Sequence, residues 1–448
     1  MLGPDRTTTR TTRRAVLLSA LAGLAGCTAE GVPDVETPSG PDRPTRTETR
    51  TETPTETRTA SPTLRPTSTV ERFDGRLAVP ADARALGRRR GTLLDDFADL
   101  DRWRESGATV EAGPARDWGA PTARLTVPAS EPAGGIYRAF PGGVDLSTRA
   151  PSLAVCPDEE DPPTGLYCQL FAPDADNRVD LWQAVAHGGW TRLDLGPRAV
   201  VGDPDLRDVR TVGVRLWTGE ERARVDLDAL RTVDRPDSGA VMFTFDDGHA
   251  SQYDPAAAVL ADHDVPGVIA PIPETVGGEG RVTVEQLREL RDDGWTVVNH
   301  PQAERPLPAY PVHRQRALME TTKRWLLRHG FEAGADTVIW PYGRADATTL
   351  SVARRYYSLG LSAGDAPGAV PPTDPLTVAR IDGTAPERAR RLLDLTARHR
   401  GLAVLVYHPV GTGADNAVSE AALRETVAHA VDADLDVVTP ADLVATPP

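Results

Sequence analysis

Ala240-Val-Met-Phe-Thr-Phe-Asp-Asp-Gly248 is an apolar run that ends in two carboxylates and a glycine. Six apolar or β-branched residues in a row, bounded by turn residues, read as a buried strand. Successive strand side chains project to opposite faces, so one acid can hold a cation while its neighbour faces a water. Asp-Asp-Gly alone is also ordinary turn chemistry. The downstream sequence gives it weight. Asp254 and Pro255 set up an N-cap and a first helical position for a helix to Ala261, and Thr283-Val-Glu-Gln286 is a capping-box start for one through Arg291. Further strands are expected at Trp295–Asn299, Thr337–Trp340, Tyr357–Leu361, Leu402–Val406 and Asp434–Val438, with helices near 312–329, 346–356, 385–399 and 418–432. Such alternation implies parallel strands in an α/β sheet or barrel, and active sites of these folds lie at the carboxyl ends of the strands.

Two more polar clusters occupy such ends: Asn299-His300-Pro-Gln-Ala-Glu304 and Tyr407-His408-Pro409. One histidine alone is more often structural, but strands that each end in one suggest side chains converging from separate loops. Upstream, between Gly91 and Val233, the rhythm is different. Short alternating runs such as Ala123–Val127, Gly165–Phe171, Arg178–Trp182, Val212–Trp217 and Ala223–Leu227 are separated by Gly, Pro and Asp clusters. They read as antiparallel strands of an all-β sandwich or jelly roll. Trp103, Trp118, Trp182, Trp190 and Trp217 fall in this segment, as core residues or as platforms for sugar rings. Cys156 and Cys168 are expected on neighbouring strands, where they either close a disulfide or remain two thiols.

Composition narrows the partners. Fifty Lys plus Arg stand against 65 Asp plus Glu, a formal charge of −15, and Lys323 is the single lysine. Nucleic acid is therefore not an expected partner, since phosphate binding needs clustered cations. An acidic balance with Arg in place of Lys resembles proteins of salt-loving archaea, kept soluble in brine by repelling carboxylates. Arg13-Arg14 before the apolar run Ala15–Ala25 resembles a twin-arginine export signal, and Leu24-Ala-Gly-Cys27 resembles a lipobox whose cysteine is lipidated. The alternative is a plain cleaved signal with an incidental cysteine. The Thr/Pro/Glu-rich stretch 28–70 buries too little apolar surface to order and reads as a tether. The expected layout is thus a signal over 1–27, the tether over 28–70, the sandwich over 71–236 and an α/β domain over 237–448. The chain would be exported and held by a lipid on the outer face of the cytoplasmic membrane.

Thr244-Phe-Asp-Asp-Gly248, Trp295–His300, Trp340-Pro-Tyr-Gly343 and Leu405-Val-Tyr-His408 stand in the order and approximate spacing of the polysaccharide deacetylase family (NodB homology, carbohydrate esterase family four). The resemblance covers roughly 238–445, one domain's worth of chain. It implies a distorted (β/α) barrel that removes acetyl groups from polysaccharide with a divalent metal, usually zinc, with manganese or cobalt as alternatives. It likewise implies that Asp246 is the general base, Asp247 and His300 metal ligands, His408 the general acid and the Tyr342 backbone N–H the oxyanion donor. The sandwich is similar to the jelly-roll carbohydrate-binding modules of extracellular glycan enzymes.

Two positions depart from the family's pattern. Glu304 replaces its second histidine, four residues after the first; a glutamate there can still ligate, on the same face of a helical turn. Ile339 replaces the arginine that orients the base, so Arg344 or Arg380 would have to substitute. His249, next to the Asp pair, reads either as an exposed turn residue or as a contributor to the site, the former being preferred. Two functions remain: hydrolysis of acetyl groups on a surface or extracellular polysaccharide, or a catalytically silent barrel that binds glycan.

Overall fold

Every second residue of Ala123–Val127 is buried, and the same period-two rhythm runs through Arg178–Ala184. In the computed structural model, residues 77–78, 91–114, 121–185, 187–218 and 221–444 are described. The signal, Cys27, the 28–70 tether and Trp118 lie outside them. The first half contains β1 (Thr92–Asp95), β2 (Trp103–Ser106), β3 (Thr109–Ala112), β4 (Ala123–Val127), β5 (Ala133–Val144) and β6 (Arg149–Pro157). It continues with β7 (Gly165–Phe171), β8 (Arg178–Ala184), β9 (Thr191–Asp194), β10 (Gly196–Val201), β11 (Val209–Trp217) and β12 (Ala223–Asp234). One antiparallel sheet runs β3-β4-β12-β6-β9 with β1 also on β12, and the other runs β10-β8-β7-β11-β5-β2. Leu125, Leu153, Val155 and Leu227 of the first sheet meet Ile136, Leu166, Leu170 and Val214 of the second in one core. Each such fully buried aliphatic contributes about 1.5–3 kcal/mol.

Of the two alternatives for the cysteines, the structure holds the one without a disulfide. Cys156 on β6 lies opposite Asp226 of β12, whereas Cys168 on β7 lies opposite Val214 of β11, so the two strands belong to different sheets. The 157–165 connection passes from one sheet to the other instead of closing a hairpin. Neither cysteine forms a disulfide, and burial pushes the Cys168 thiol up to about 12, which makes it an inert core group. Among the tryptophans, Trp103 is buried and stacks on Phe97 with ring centroids 5.0 Å apart. Trp182 is half-buried beneath the Arg198 guanidinium, and Trp217 is exposed.

Beyond Asp237 the chain alternates between strand and helix. The elements are β13 (Ala240–Asp247), α1 (Ala257–Ala261), β14 (Val268–Pro271), α2 (Val284–Asp292), β15 (Thr296–Val297), α3 (Val312–His329), β16 (Thr337–Ile339) and α4 (Ala347–Ala353). They continue with β17 (Leu359–Ala363), β18 (Val378–Asp382), α5 (Pro386–His399), β19 (Leu402–Tyr407), α6 (Glu420–Asp432), β20 (Asp436–Val437) and α7 (Pro440–Val444). The parallel sheet runs β15-β14-β13-β19-β18-β17-β16, with β20 also on β13. It curls until its ends meet: Asn299, just past β15, pairs in parallel with Val338 of β16. The Ile339 N–H donates to the Asn299 carbonyl at 2.8 Å.

Strand parity then decides what faces where. Val241, Phe243 and Phe245 of β13 pack outward against helix residues such as Leu287, Leu393 and Val427. Ala240 and Met242 face inward with Val268, Val298, Ile339, Leu361, Val378 and Val404. Phe245 of β13 lies 5.2 Å from Trp295, just before β15, and 5.4 Å from Tyr407 of β19, centroid to centroid. The sandwich is bonded to this half. Arg198 reaches Asp365 at 2.8 Å, Asp194 accepts from the Thr373 N–H at 3.1 Å, and Arg400 donates to the Ser147 carbonyl at 3.1 Å. Lys323 of α3 is fully buried, its ammonium donating to Asp336 at 2.5 Å and to the Tyr356 carbonyl.

Candidate active site

The parity that puts Met242 inside carries Asp246 inside as well, at the carboxyl end of β13, with 3% of its surface exposed. Across the interior, Val378 and Arg380 share one face of β18, and the Arg380 guanidinium donates to Asp246 Oδ1 at 2.7 Å. Both side chains are buried. The inward position on β16 is held by Ile339, which is apolar, so the cation that faces Asp246 comes from β18. Of the two candidate substitutes, Arg344 is exposed and Arg380 makes the contact.

Asp247 starts the turn. It takes a left-handed φ of +72°, and Gly248 follows at +69°. A Cβ on Gly248 would stand 3.0 Å from Pro271 Cα, so glycine suits the position twice over. Arg281 donates to the Asp247 carbonyl at 2.8 Å and holds the turn. The Asp247 carboxylate lies between two imidazoles, with His300 Nε2 3.5 Å from Oδ1 and His249 Nε2 3.6 Å from Oδ2. Burial alone would raise its pKa, but neighbouring His249 and the charges of His300 and His408 outweigh burial and hold it well below the usual carboxylate range. His249, for which an exposed turn position was the preferred reading, is part of this cluster, as its place beside the Asp pair allowed.

Gln252 is a site residue that the sequence pattern did not reveal. Fully buried, its amide donates to the Asp246 carbonyl at 2.5 Å and to the His408 carbonyl at 3.0 Å, which ties the ends of β13 and β19 together. His408 is half-buried at the end of β19. Tyr342 sits in the turn Pro341–Gly343 at a φ of +58°, with 53% of the residue's surface exposed. Trp340 anchors that turn from beneath, its indole N–H donating to the Leu376 carbonyl at 2.8 Å.

Glu304 does not join the cluster as expected. No helical turn begins at Pro301; residues 301–303 are irregular and a bend follows at Glu304 and Arg305, so positions four apart do not share a face. Pro306 disfavours helix at the residue before it. Glu304 is exposed, and its backbone N–H is taken by the Tyr310 hydroxyl at 3.0 Å. Among the described residues no three His, Cys, Asp or Glu side chains are arranged to hold a metal ion. The Asp247–His300 pair fits part of such a site. Two tetrahedral ligands, each about 2.0–2.1 Å from one ion, lie roughly 3.4 Å apart. The observed 3.5 Å is close to that spacing. Glu304→Ala is accordingly expected to leave metal content unchanged and stability within about 0.5 kcal/mol, as surface substitutions do. His300→Ala is expected to lose metal; calorimetric titration of both variants with zinc checks the contrast.

Residues 234–358 match the polysaccharide deacetylase family model. The matched stretch includes Asp246, Asp247, His300 and Tyr342 and stops before Arg380 and His408. A curated relative, YxkH of Bacillus subtilis (strain 168), whose name assigns it provisionally to the polysaccharide deacetylases, is 27% identical over 129 residues. That alignment covers 29% of this chain and 46% of the relative, so the chain spans about half the relative's length. Among solved structures, the chain is similar to the deacetylase PplD of Streptococcus pyogenes in complex with acetate. The identity is 24%, with 31% of this chain and 62% of that one covered, at a TM-score of 0.29. It is also similar to a family 4 carbohydrate esterase from Streptomyces lividans in complex with acetate, at 16% identity over 45% of this chain and 94% of that one, with a TM-score of 0.34.

Proposed function

We propose that this protein hydrolytically removes acetyl groups from a polysaccharide in a metal-dependent reaction. The observation that carries the reading is the buried Asp246–Arg380 pair, set one residue from the Asp247–His300 pair at the same strand end. Asp247 and His300 are the residues that would hold a divalent ion, zinc by the chemistry of a mixed nitrogen and oxygen donor set. Bound there, such an ion supplies Lewis-acid polarisation of the acetyl carbonyl and a more acidic water. Asp246 accepts the water's proton as general base, and Arg380 holds its carboxylate in one orientation. The Tyr342 N–H donates to the oxyanion as charge develops on the acetyl oxygen. His408 protonates the departing amine or alkoxide. The acidic composition, the sandwich and the resemblance of the N-terminal stretch to an export signal with a lipobox at Cys27 support the reading of an exported, lipid-anchored enzyme acting on surface or extracellular glycan.

A second reading, a silent barrel that binds glycan, is favoured by the exposed position of Glu304, which leaves the ligand set at two. Acetate release from acetylated oligosaccharides, with and without chelator, separates the two. The enzyme reading expects release that chelator stops and zinc restores. No release from metal-loaded protein would leave the binding reading.

A further inference from the structure

Tyr342 holds a left-handed backbone conformation without being glycine, and such strained residues persist only where their surroundings over-determine them. Part of what surrounds this turn comes from the sandwich. His187, in the connection between β8 and β9, is 4% exposed and lies against the α/β half. Its Nδ1 is 3.2 Å from the Ala345 backbone N–H and 3.3 Å from the Ala345 carbonyl, and its Nε2 is 2.9 Å from Ser362 Oγ. Ala345 is buried, and a buried N–H requires an acceptor. That requirement makes Nδ1 the acceptor and leaves the proton on Nε2, which donates to Ser362. Burial keeps the ring neutral, with its pKa pushed down to about 4, as one donor and one acceptor require.

Both partners bear on the turn. Ala345 follows Tyr342 by three residues. Ser362 precedes Ala363 of β17, on which Gly343 packs so closely that a Cβ at Gly343 would come within 2.4 Å of the Ala363 Cβ. The next residues of the same sandwich loop press on the start of α4, where a Cβ on Gly189 would lie 2.6 Å from Ala347 Cβ. Asp346 caps that helix by accepting from the Thr349 N–H at 2.6 Å. The segment 343–347 is thus gripped on one side by the sheet and on the other by the sandwich.

We propose that His187 of the sandwich is a positioning residue of the deacetylase site, bridging Ala345 and Ser362 so that the Tyr342 N–H is presented to the acetyl oxyanion. The proposal rests on the hydrolytic reading above, and it makes the sandwich a structural component of the active site. The test compares the full chain with His187→Asn and His187→Gln. Asn can return an acceptor near the Nδ1 position, whereas Gln places its amide near Nε2 and leaves the Ala345 N–H without a partner. Losing an oxyanion donor typically costs roughly 10²–10³-fold in kcat. A misplaced one should cost less, so His187→Gln is expected to lose about 10–100-fold in kcat with KM within about twofold. His187→Asn should stay within about tenfold of wild type. Amide hydrogen exchange over 340–347 should quicken in the Gln variant, with exchange in β13 unchanged. Equal kcat in the two variants, or a loss in both that follows a lowered melting temperature, would overturn the positioning role. Wild-type chain that releases no acetate when loaded with zinc would instead overturn the hydrolytic reading, and the proposal with it.

Discussion

Asp246→Asn is expected to lower acetate release by roughly 10²–10⁴-fold, the usual effect of removing a general base. The amide is close to isosteric with the carboxylate and keeps an oxygen to accept from Arg380, so the end of β13 should stay in place. It cannot take a proton from water. Asp247 and His300 are untouched by the change, so metal content should equal that of the wild type. The measurement is acetate release beside elemental analysis of the purified variant. Turnover equal to wild type would remove Asp246 from the mechanism.

Arg380→Met should destabilise the chain by about 3–5 kcal/mol, since it leaves a buried carboxylate with its charge uncompensated. Such a loss is a large fraction of the roughly 5–15 kcal/mol that holds most domains together. Adding Asp246→Asn to Arg380→Met removes both charges, and the double variant should regain most of the lost stability while remaining inactive. That recovery separates a cation that orients the base from an arginine that merely fills space. Denaturant titration of the two single variants and the double variant closes the cycle. Additive losses would show that the two side chains do not depend on each other.

Much of the fold was legible because strands and helices here have clean periods. Ala123–Val127 and Gly165–Phe171 have the bounds that their alternation marks, and α3 fills 312–329 as expected. The short strands β14 and β18 carry no comparable pattern. Val268–Pro271 is four residues ending in proline, and Val378–Asp382 alternates too briefly to stand out. Without β18, Arg380 could be named as a substitute but not preferred over Arg344. Its contact with Asp246 spans 134 residues and depends on the order β13-β19-β18, which local pattern does not encode. The same limit explains the cysteines, since hairpin spacing says nothing about which sheet each strand joins. Glu304 misses the cluster for a different reason: sharing a face with His300 requires a helical turn, and the proline-rich stretch around it does not form one.

Lys323 has a consequence of its own for handling the protein. It is the single lysine and lies fully buried in α3 against Asp336 and the Tyr356 carbonyl. The native surface therefore offers no lysine ε-amine to acylating dyes, aldehyde fixatives or glycating sugars. Tryptic cuts in the folded state can fall only after arginine. Modification of Lys323 becomes a single-site clock for opening of the packed helix layer, because the amine must leave its carboxylate and carbonyl before any reagent reaches it.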